Sequence, residues 1–248
     1  MSFCHVKMYY CLLVMLISGC LHSEELLVPF SRTNNEFVSI GDVKKIPENV
    51  VTSLAQDGQG YLWIGTAAGI VRYDGYRFRL FTHDTQKSGT LAGNFIRDIL
   101  PLSDGSIWIS TEPGGGSVFD PITETFHSIF DHQQLLRNPY LSSVSALEKD
   151  SFGNFWLGTK NGVVKINPLN KSEFENFTKE KGQLLHNDIR ALLIDSSGVL
   201  WIGGRGGLNK YNFAEARFEN IFAAPGQALS KTFVRSLYED DLIPLQQN

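Results

Sequence analysis

The chain has 248 residues, of which 42% are hydrophobic and 19% are charged. This length and apolar content are sufficient for a large hydrophobic core and are typical of a globular protein rather than a disordered one. The net charge of −4 offers no basic surface of the kind that binds nucleic acid, so the sequence predicts no nucleic-acid partner.

The first 23 residues predict export from the cytoplasm. Lys7 precedes an apolar stretch at residues 8–19, which at about twelve residues is too short to cross a bilayer and matches a secretory signal peptide. Two processing sites remain open: cleavage after Ser23, or a lipobox at residues 17–20 that would place a lipid anchor on Cys20. The sequence therefore predicts a periplasmic protein, membrane-anchored in the second case. All three cysteines fall in this segment, which leaves the mature part without disulfide or thiol chemistry: Cys4, Cys11 and Cys20.

Residues 24–48 connect the signal to the rest of the chain. Within them, residues 36–40 (EFVSI) contain the β-branched and aromatic side chains that favour a strand. Two interpretations are open: the strand completes the last sheet of a closed array, or it is a short edge strand.

Residues 49–240 repeat one phrase, whose first copy is QDGQGYLWIGTAAGIVRYDG at residues 56–75. Each copy contains one of the four tryptophans, and these are 45, 48 and 45 residues apart. A glycine stands three residues before each tryptophan and another six residues after it, and aliphatic residues stand twelve and nine residues before it. The period therefore reflects a repeated structural unit. The tryptophans are Trp63, Trp108, Trp156 and Trp201, and the glycines are Gly60, Gly105, Gly153 and Gly198 before them and Gly69, Gly114, Gly162 and Gly207 after them.

Each unit divides into four short strands, which is the pattern of a β-propeller blade rather than a helical repeat. In the first unit the predicted strands are residues 50–56, 61–66, 70–74 and 76–81. The pair Asp74-Gly75 predicts a two-residue hairpin between the third and fourth strands.

The predicted fold class is therefore all-β: a partial β-propeller with four four-stranded blades and the first strand of a fifth. That strand is predicted within TFVRSLYED, because Val234, Leu237 and Asp240 keep the register of the fourth unit. The predicted domain boundaries are 49–93, 94–141, 142–186 and 187–231 for the four units, 232–240 for the incomplete fifth, and 241–248 for a tail that no longer matches.

The repeated side chains have a structural interpretation. A tryptophan in a middle strand fills the space between neighbouring sheets and buries about 200 Å². The glycines permit tight turns. Asp57, Asp150 and Asp195, each six residues before a tryptophan, are predicted to accept backbone N–H bonds in the following turn. The second unit has Leu102 at that position and Asp104 nearby, so its turn is expected to differ.

The repeats contain no recognisable catalytic, metal-binding or phosphate-binding pattern. The six histidines have no metal-ligand spacing, so the sequence predicts neither a metal nor a cofactor, and the chain is not expected to be an enzyme. A ligand would bind on loops at one end of the central channel. Lys160 and Arg205, at equivalent places in the third and fourth units, are candidates for contacting an anionic group, and ordinary exposed basic residues are the alternative.

The stretch IPENVVTSLAQDGQGYLWIGTAAGIVRYDGYRF at residues 46–78 resembles the two-component regulator propeller repeats. Such repeats form the extracytoplasmic sensor part of bacterial hybrid histidine kinases and some diguanylate cyclases. The D-x-x-G-x-x-W-x-G core and the RYDG corner carry the resemblance, which covers about residues 37–240. It implies a sensor that binds a small solute or an oligosaccharide and signals through one membrane helix to a cytoplasmic output domain.

The sequence departs from that family after Asp240, because Ile243 and Gln246 stand where the repeat requires glycine and tryptophan. We therefore expect a truncated N-terminal fragment that lacks the membrane helix and output domain, and whose unclosed blade faces promote self-association. The membrane would be reached only through a lipid anchor or the missing helix. Two other hypotheses remain: a stand-alone exported or lipid-anchored interaction propeller, and a propeller lyase or hydrolase.

Overall fold

The computed structural model describes residues 45–221 and 233–240. The predicted signal peptide, the strand predicted at residues 36–40 and the tail at 241–248 lie outside the described residues. Across the described ranges, sixteen strands form four antiparallel sheets of four consecutive strands each, which confirms the predicted propeller class.

Blade one contains β1 to β4, blade two β5 to β8, blade three β9 to β12, and blade four β13 to β16. The first strand of each blade lies beside the first strand of the next, as the innermost strands of a propeller do around its channel. The strands are β1 (Val51–Gln56), β2 (Leu62–Thr66), β3 (Gly69–Tyr73), β4 (Phe78–Phe81), β5 (Phe95–Pro101), β6 (Ile107–Glu112), β7 (Gly115–Asp120), β8 (Thr125–Ser128), β9 (Val144–Lys149), β10 (Phe155–Thr159), β11 (Gly162–Asn167), β12 (Asn170–Phe177), β13 (Ile189–Ile194), β14 (Leu200–Gly204), β15 (Gly207–Asn212) and β16 (Arg217–Ile221).

The prediction of a two-residue hairpin between β3 and β4 is wrong. Tyr73 pairs with Phe78, so the connection has four residues, 74–77, and β4 begins at Phe78 rather than Tyr76. The carboxylate of Asp74 explains the difference, because its Oδ1 accepts hydrogen bonds from the backbone N–H groups of Tyr76 (2.8 Å) and Arg77 (2.6 Å). This Asx turn holds both residues outside the ladder.

One short helix, α1 (His132–Arg137), lies between blades two and three and was not predicted. It begins with a capping box, in which the side chain of Asp131 accepts from the backbone of Gln134 and the side chain of Gln134 bonds back to Asp131. Two 3-10 helices, Pro47–Asn49 and Pro139–Ser142, precede β1 and β9. Among the described residues, no helix is long and apolar enough to span a bilayer.

The tryptophans pack between neighbouring blades. Trp63 meets Phe119 of blade two with ring centroids 5.0 Å apart, and Trp108 stacks on Phe155 of blade three at 3.5 Å. Trp156 meets Tyr211 of blade four at 5.0 Å. These three tryptophans are at most 4% exposed, whereas the equivalent residue of blade four is only partly buried. The contact between blades is therefore aromatic and largely dry.

Residues 233–240 lie against blade four where the first strand of a further blade would lie. The backbone N–H of Val234 donates to the carbonyl of Gly204 (3.0 Å), and Phe233 forms an antiparallel bridge with Arg205. The carboxylate of Glu239 accepts from the backbone and hydroxyl of Ser196. The segment that the repeat register assigned to a fifth unit is thus docked on the fourth.

Small residues two positions after each tryptophan allow the innermost strand of the next blade to approach closely. A Cβ at Gly65 would lie 2.7 Å from Cγ2 of Ile96, and one at Gly203 would lie 2.5 Å from Cγ1 of Val234. Gly158 has the same relation to Ile189. In blade two the position is held by Ser110, which is fully buried.

We expect Gly65→Ala to lower the free energy of unfolding by about 1–2 kcal/mol, because the new methyl group overpacks the boundary between blades one and two. Denaturant titration measures the loss. Gly58→Ala is the matched control, since nothing lies within 4 Å of a Cβ at that position. Equal losses for the two variants would contradict the close-approach explanation.

Candidate ligand-binding site

Each innermost strand contains a β-bulge near its beginning. In blade one, Val51 pairs with Thr66 and Ser53 with Gly65, so Thr52 between them is left out of the ladder. The same irregularity falls at the third residue of β5 and at the second residue of β9 and of β13. A bulge redirects a side chain out of the regular alternation of the strand. The bulged residues are Thr52, Arg97, Ser145 and Arg190.

The bulged side chains line one cavity of about 480 Å³ between the innermost strands, at the end where those strands begin. Arg235, one repeat after Arg190, lines it too, as does Phe233. We call this space the mouth cavity. It gathers the same repeat position from five successive units, and three of those positions are arginines.

Arg97 is held by a carboxylate of its own blade. Its Nε and Nη2 donate to Oε2 of Glu112 at 3.0 and 2.5 Å. Nζ of Lys160 lies 3.3 Å from the other oxygen, Oε1. Burial alone would raise the pKa of Glu112, but the hydrogen bonds and charges of Arg97 and Lys160 outweigh it and lower the pKa. This carboxylate therefore stays ionised and joins two cations at the edge of the cavity.

The other two arginines flank an aromatic ring. Arg190 forms an ion pair with Asp188, with Nε 2.8 Å from Oδ1. Its guanidinium carbon lies 5.8 Å from the ring centroid of Phe233, and that of Arg235 lies 5.3 Å from the same centroid. Phe233 is 40% exposed. Within the described ranges, no carboxylate forms an ion pair with Arg235.

The structure separates the two residues that the sequence proposed for ligand contact. Lys160 and Arg205 occupy equivalent turns after β10 and β14, on the same side of the blades as the mouth cavity. Lys160 adjoins the cavity through Glu112. Arg205 contributes its backbone to the bridge with Phe233, and its exposed side chain is not part of the cavity lining.

The aspartates before the tryptophans lie at the opposite end of the blades. Their carboxylates accept backbone N–H bonds in the turn, as from Gln59 and Tyr61 in blade one, each 3.0 Å from Oδ1 of Asp57. The second oxygen accepts a hydrogen bond from the indole N–H of the tryptophan, which the repeat pattern did not predict. In blade two, Asp104 instead accepts from the backbone and hydroxyl of Ser106. The Nε1–Oδ2 distances are 2.8 Å for Trp63–Asp57, 2.9 Å for Trp156–Asp150 and 2.6 Å for Trp201–Asp195.

Two carboxyl groups with raised pKa values lie on the innermost strands of blades two and three. Asp98 accepts from its neighbour Ile99 (2.9 Å) and, across the boundary, from the backbone of Leu147 (2.8 Å). Burial raises the pKa of Asp98 to about 6. Burial and, second, the charge of Asp98 raise the pKa of Glu148 to about 7.

A second cavity, between α1 and the loop after β4, is lined by three of the six histidines: His83, His127 and His132. Within residues 45–221 and 233–240, no group of three histidine, cysteine, aspartate or glutamate side chains could hold a metal ion. The bulged positions of the mouth cavity therefore form the stronger candidate.

Comparison with protein families matches the chain to the two-component regulator propeller model at residues 45–68, 90–112 and 183–206. Each matched segment covers a first and a second strand, in blades one, two and four. The chain is 26% identical over 191 residues to histidine kinase P4 of Formosa agariphila, which covers 73% of this chain and 14% of the kinase.

Solved structures show the same fold. The extracellular domain of the putative hybrid two component system BT3049 from B. thetaiotaomicron superposes with a TM-score of 0.63 at 21% identity, covering 76% of this chain and 26% of that one. Virginiamycin B lyase from Staphylococcus aureus superposes with a TM-score of 0.51 at 12% identity, covering 68% of this chain and 54% of the lyase. The chain thus spans about a seventh of the kinase and about a quarter of the BT3049 domain.

Proposed function

Since its blades belong to the two-component regulator propeller family, we propose that this chain is the extracytoplasmic solute-sensing region of a bacterial signal-transduction receptor. The predicted signal peptide, whether it is cleaved after Ser23 or ends in a lipobox at Cys20, supports an exported, periplasmic location. In this proposal the membrane helix and the output domain, a kinase or a cyclase, are encoded outside these 248 residues.

The observation that carries the proposal is the row of β-bulges. Four innermost strands each turn one polar or charged side chain into the mouth cavity, and the docked segment adds Arg235. A volume of about 480 Å³ lies within the range of small-molecule sites. The small solute or oligosaccharide that binds there would contact several blades at once.

Such a position suits a sensor, because a ligand shared by several blades changes how those blades sit against each other. A ligand shifts a conformational equilibrium only by its difference in affinity for the two states. A solute that bridges Arg97, Arg190 and Arg235 favours one relative arrangement of blades two and four and the docked segment. The propeller lyases share the fold alone at this level of identity, so they add no support for catalysis.

Hydrogen exchange with bound solutes tests the location of the site. A panel of sugars, oligosaccharides and organic acids is screened by thermal shift, and exchange is measured with each solute that stabilises the chain. We expect protection in β5, in β13 and in residues 233–235. Protection confined to outer strands such as β8 or β16, or conversion of the solute to a product, would refute the proposal.

Sequencing the gene past codon 248 tests the receptor context. We expect a reading frame that resumes the tryptophan repeat and then encodes a membrane helix followed by a kinase or cyclase domain. A stop codon after which no frame resumes the repeat would instead favour the stand-alone interaction propeller.

A further inference from the structure

Resting on the solute site proposed above, we propose that the ligand of the mouth cavity is a hydroxyl-bearing anion whose carboxylate or sulfate group is bound by Arg190 and Arg235 on either side of Phe233. The family match specifies no ligand. The inference follows from the charges, the hydroxyl groups and the aromatic ring that the bulges bring together.

The mouth cavity and its edge carry a net positive charge, although the chain as a whole has a net charge of −4. A cavity lined by one sign of charge attracts ligands of the other sign. The cations are Arg97, Lys160, Arg190 and Arg235, and the carboxylates paired with them are Glu112 and Asp188.

Arg97 and Arg190 already bind carboxylates of their own blades, whereas no described carboxylate neutralises Arg235. A planar guanidinium binds a carboxylate or sulfate through parallel N–H bonds, which makes arginine the suitable residue for such groups. Arg72, in the cleft between blades one and two, provides the contrast, because it is paired with Glu124 and lies over the ring of Tyr61.

The hydroxyl of Thr52 is buried and has no hydrogen-bond partner among the described residues. Buried polar atoms are generally paired, so this one favours a ligand with a polar group at the same place. The carboxylates of Glu112 and Asp188 are further acceptors for ligand hydroxyls at the rim. A hydroxylated anion offers acceptors to the arginines and to Thr52 and hydroxyl donors to the carboxylates, whereas an inorganic anion has no hydrogen to donate to those carboxylates.

The test follows the arginine side chains directly. The chain is prepared with ¹⁵N-labelled arginine, and the Nε–Hε signals are recorded by NMR at constant ionic strength during separate titrations with glucuronate, glucose and inorganic sulfate. Glucuronate and glucose share one ring and differ in the charged group. We expect glucuronate to shift the signals of Arg190 and Arg235 saturably, sulfate to shift them more weakly, and glucose to leave them unchanged.

Substitutions complete the test. Arg235→Gln is expected to weaken glucuronate binding about tenfold, the loss of one charge-assisted hydrogen-bonding partner. Arg235 is exposed, so the variant should fold, and the remaining arginine signals verify this. Arg217→Gln is the matched control, because Arg217 is an exposed arginine on β16. It should bind glucuronate with unchanged affinity.

The outcomes separate this inference from the proposed function. If glucose shifts the same signals as glucuronate, the mouth cavity binds a neutral solute, so the sensor proposal stands and the anion inference fails. If glucuronate gives unsaturable shifts, or shifts Arg217 as much as Arg235, the binding is nonspecific and the inference also fails. If no probe shifts these signals while a solute from the panel protects another part of the chain, both the inference and the proposed site are wrong.

Discussion

Trp156→Ala is expected to lower the free energy of unfolding by about 3–5 kcal/mol. The side chain is fully buried, so its removal leaves a large cavity between blades three and four. It also breaks the 2.9 Å hydrogen bond from Nε1 to the buried carboxylate of Asp150. The rings of Phe177 in its own blade and Tyr211 in the next lose their contacts, at centroid distances of 5.5 and 5.0 Å. Urea titration monitored by circular dichroism measures the change.

The control is Trp201→Ala, at the equivalent position of blade four. Trp201 makes the same bond to its aspartate, at 2.6 Å, but it is only partly buried. We therefore expect roughly half the loss of the blade-three variant, because the transfer free energy scales with the area removed from water. Equal losses would show that the tryptophan acts mainly through the turn and its aspartate, and not through packing between blades.

The sequence predicted the blades because each repeat contains the residues that mark its own strands and turns. The tryptophan, the glycines around it and the apolar residues before it define three of the four strands to within one residue in blade one. The start of the fourth strand was predicted two residues too early. The carboxylate of Asp74 accepts hydrogen bonds from two backbone N–H groups that strand propensity assigned to the ladder. Helix α1 is too short to produce a period, and its only sequence signal is the pair Asp131 and Gln134.

The candidate site could not be predicted in the same way. Alternation along a strand assigns residues to two faces, but a bulge moves one residue out of that alternation. Arg97 and Arg190 sit at such bulges, so periodicity gave no reason to place them in a channel. Lys160 was singled out only because it lies in a turn, and its link to the cavity depends on Glu112, the last residue of β6 in another blade. The usable signal was the recurrence of polar residues eleven positions before each tryptophan.

Glu148→Gln is expected to stabilise the chain at pH 8 by about 2 kcal/mol, and by less than about 1 kcal/mol at pH 5. The pKa of Glu148 is raised from 4.5 to about 7, first by burial and then by the charge of Asp98. A carboxyl group whose pKa is higher in the folded state stabilises that state fully below its unfolded value of 4.5. The stabilisation is lost as the pH rises through 7. Glutamine keeps the shape and never ionises, so it removes the destabilising charge.

Denaturant titrations of both proteins at pH 5 and pH 8 measure how the difference between their free energies of unfolding changes with pH. The titration of the histidines is common to both proteins and cancels in this comparison. The carboxyl groups with lowered pKa values, such as Asp74 and Asp104, titrate below this range and oppose the trend only in stronger acid. Glu215→Gln is the control, because Glu215 lies exposed in the turn before β16 and should give no change between the two pH values. If Glu148→Gln is only as stable as the unsubstituted chain at pH 8, water or a rearrangement solvates the carboxylate, and burial and the charge of Asp98 do not raise the pKa of Glu148.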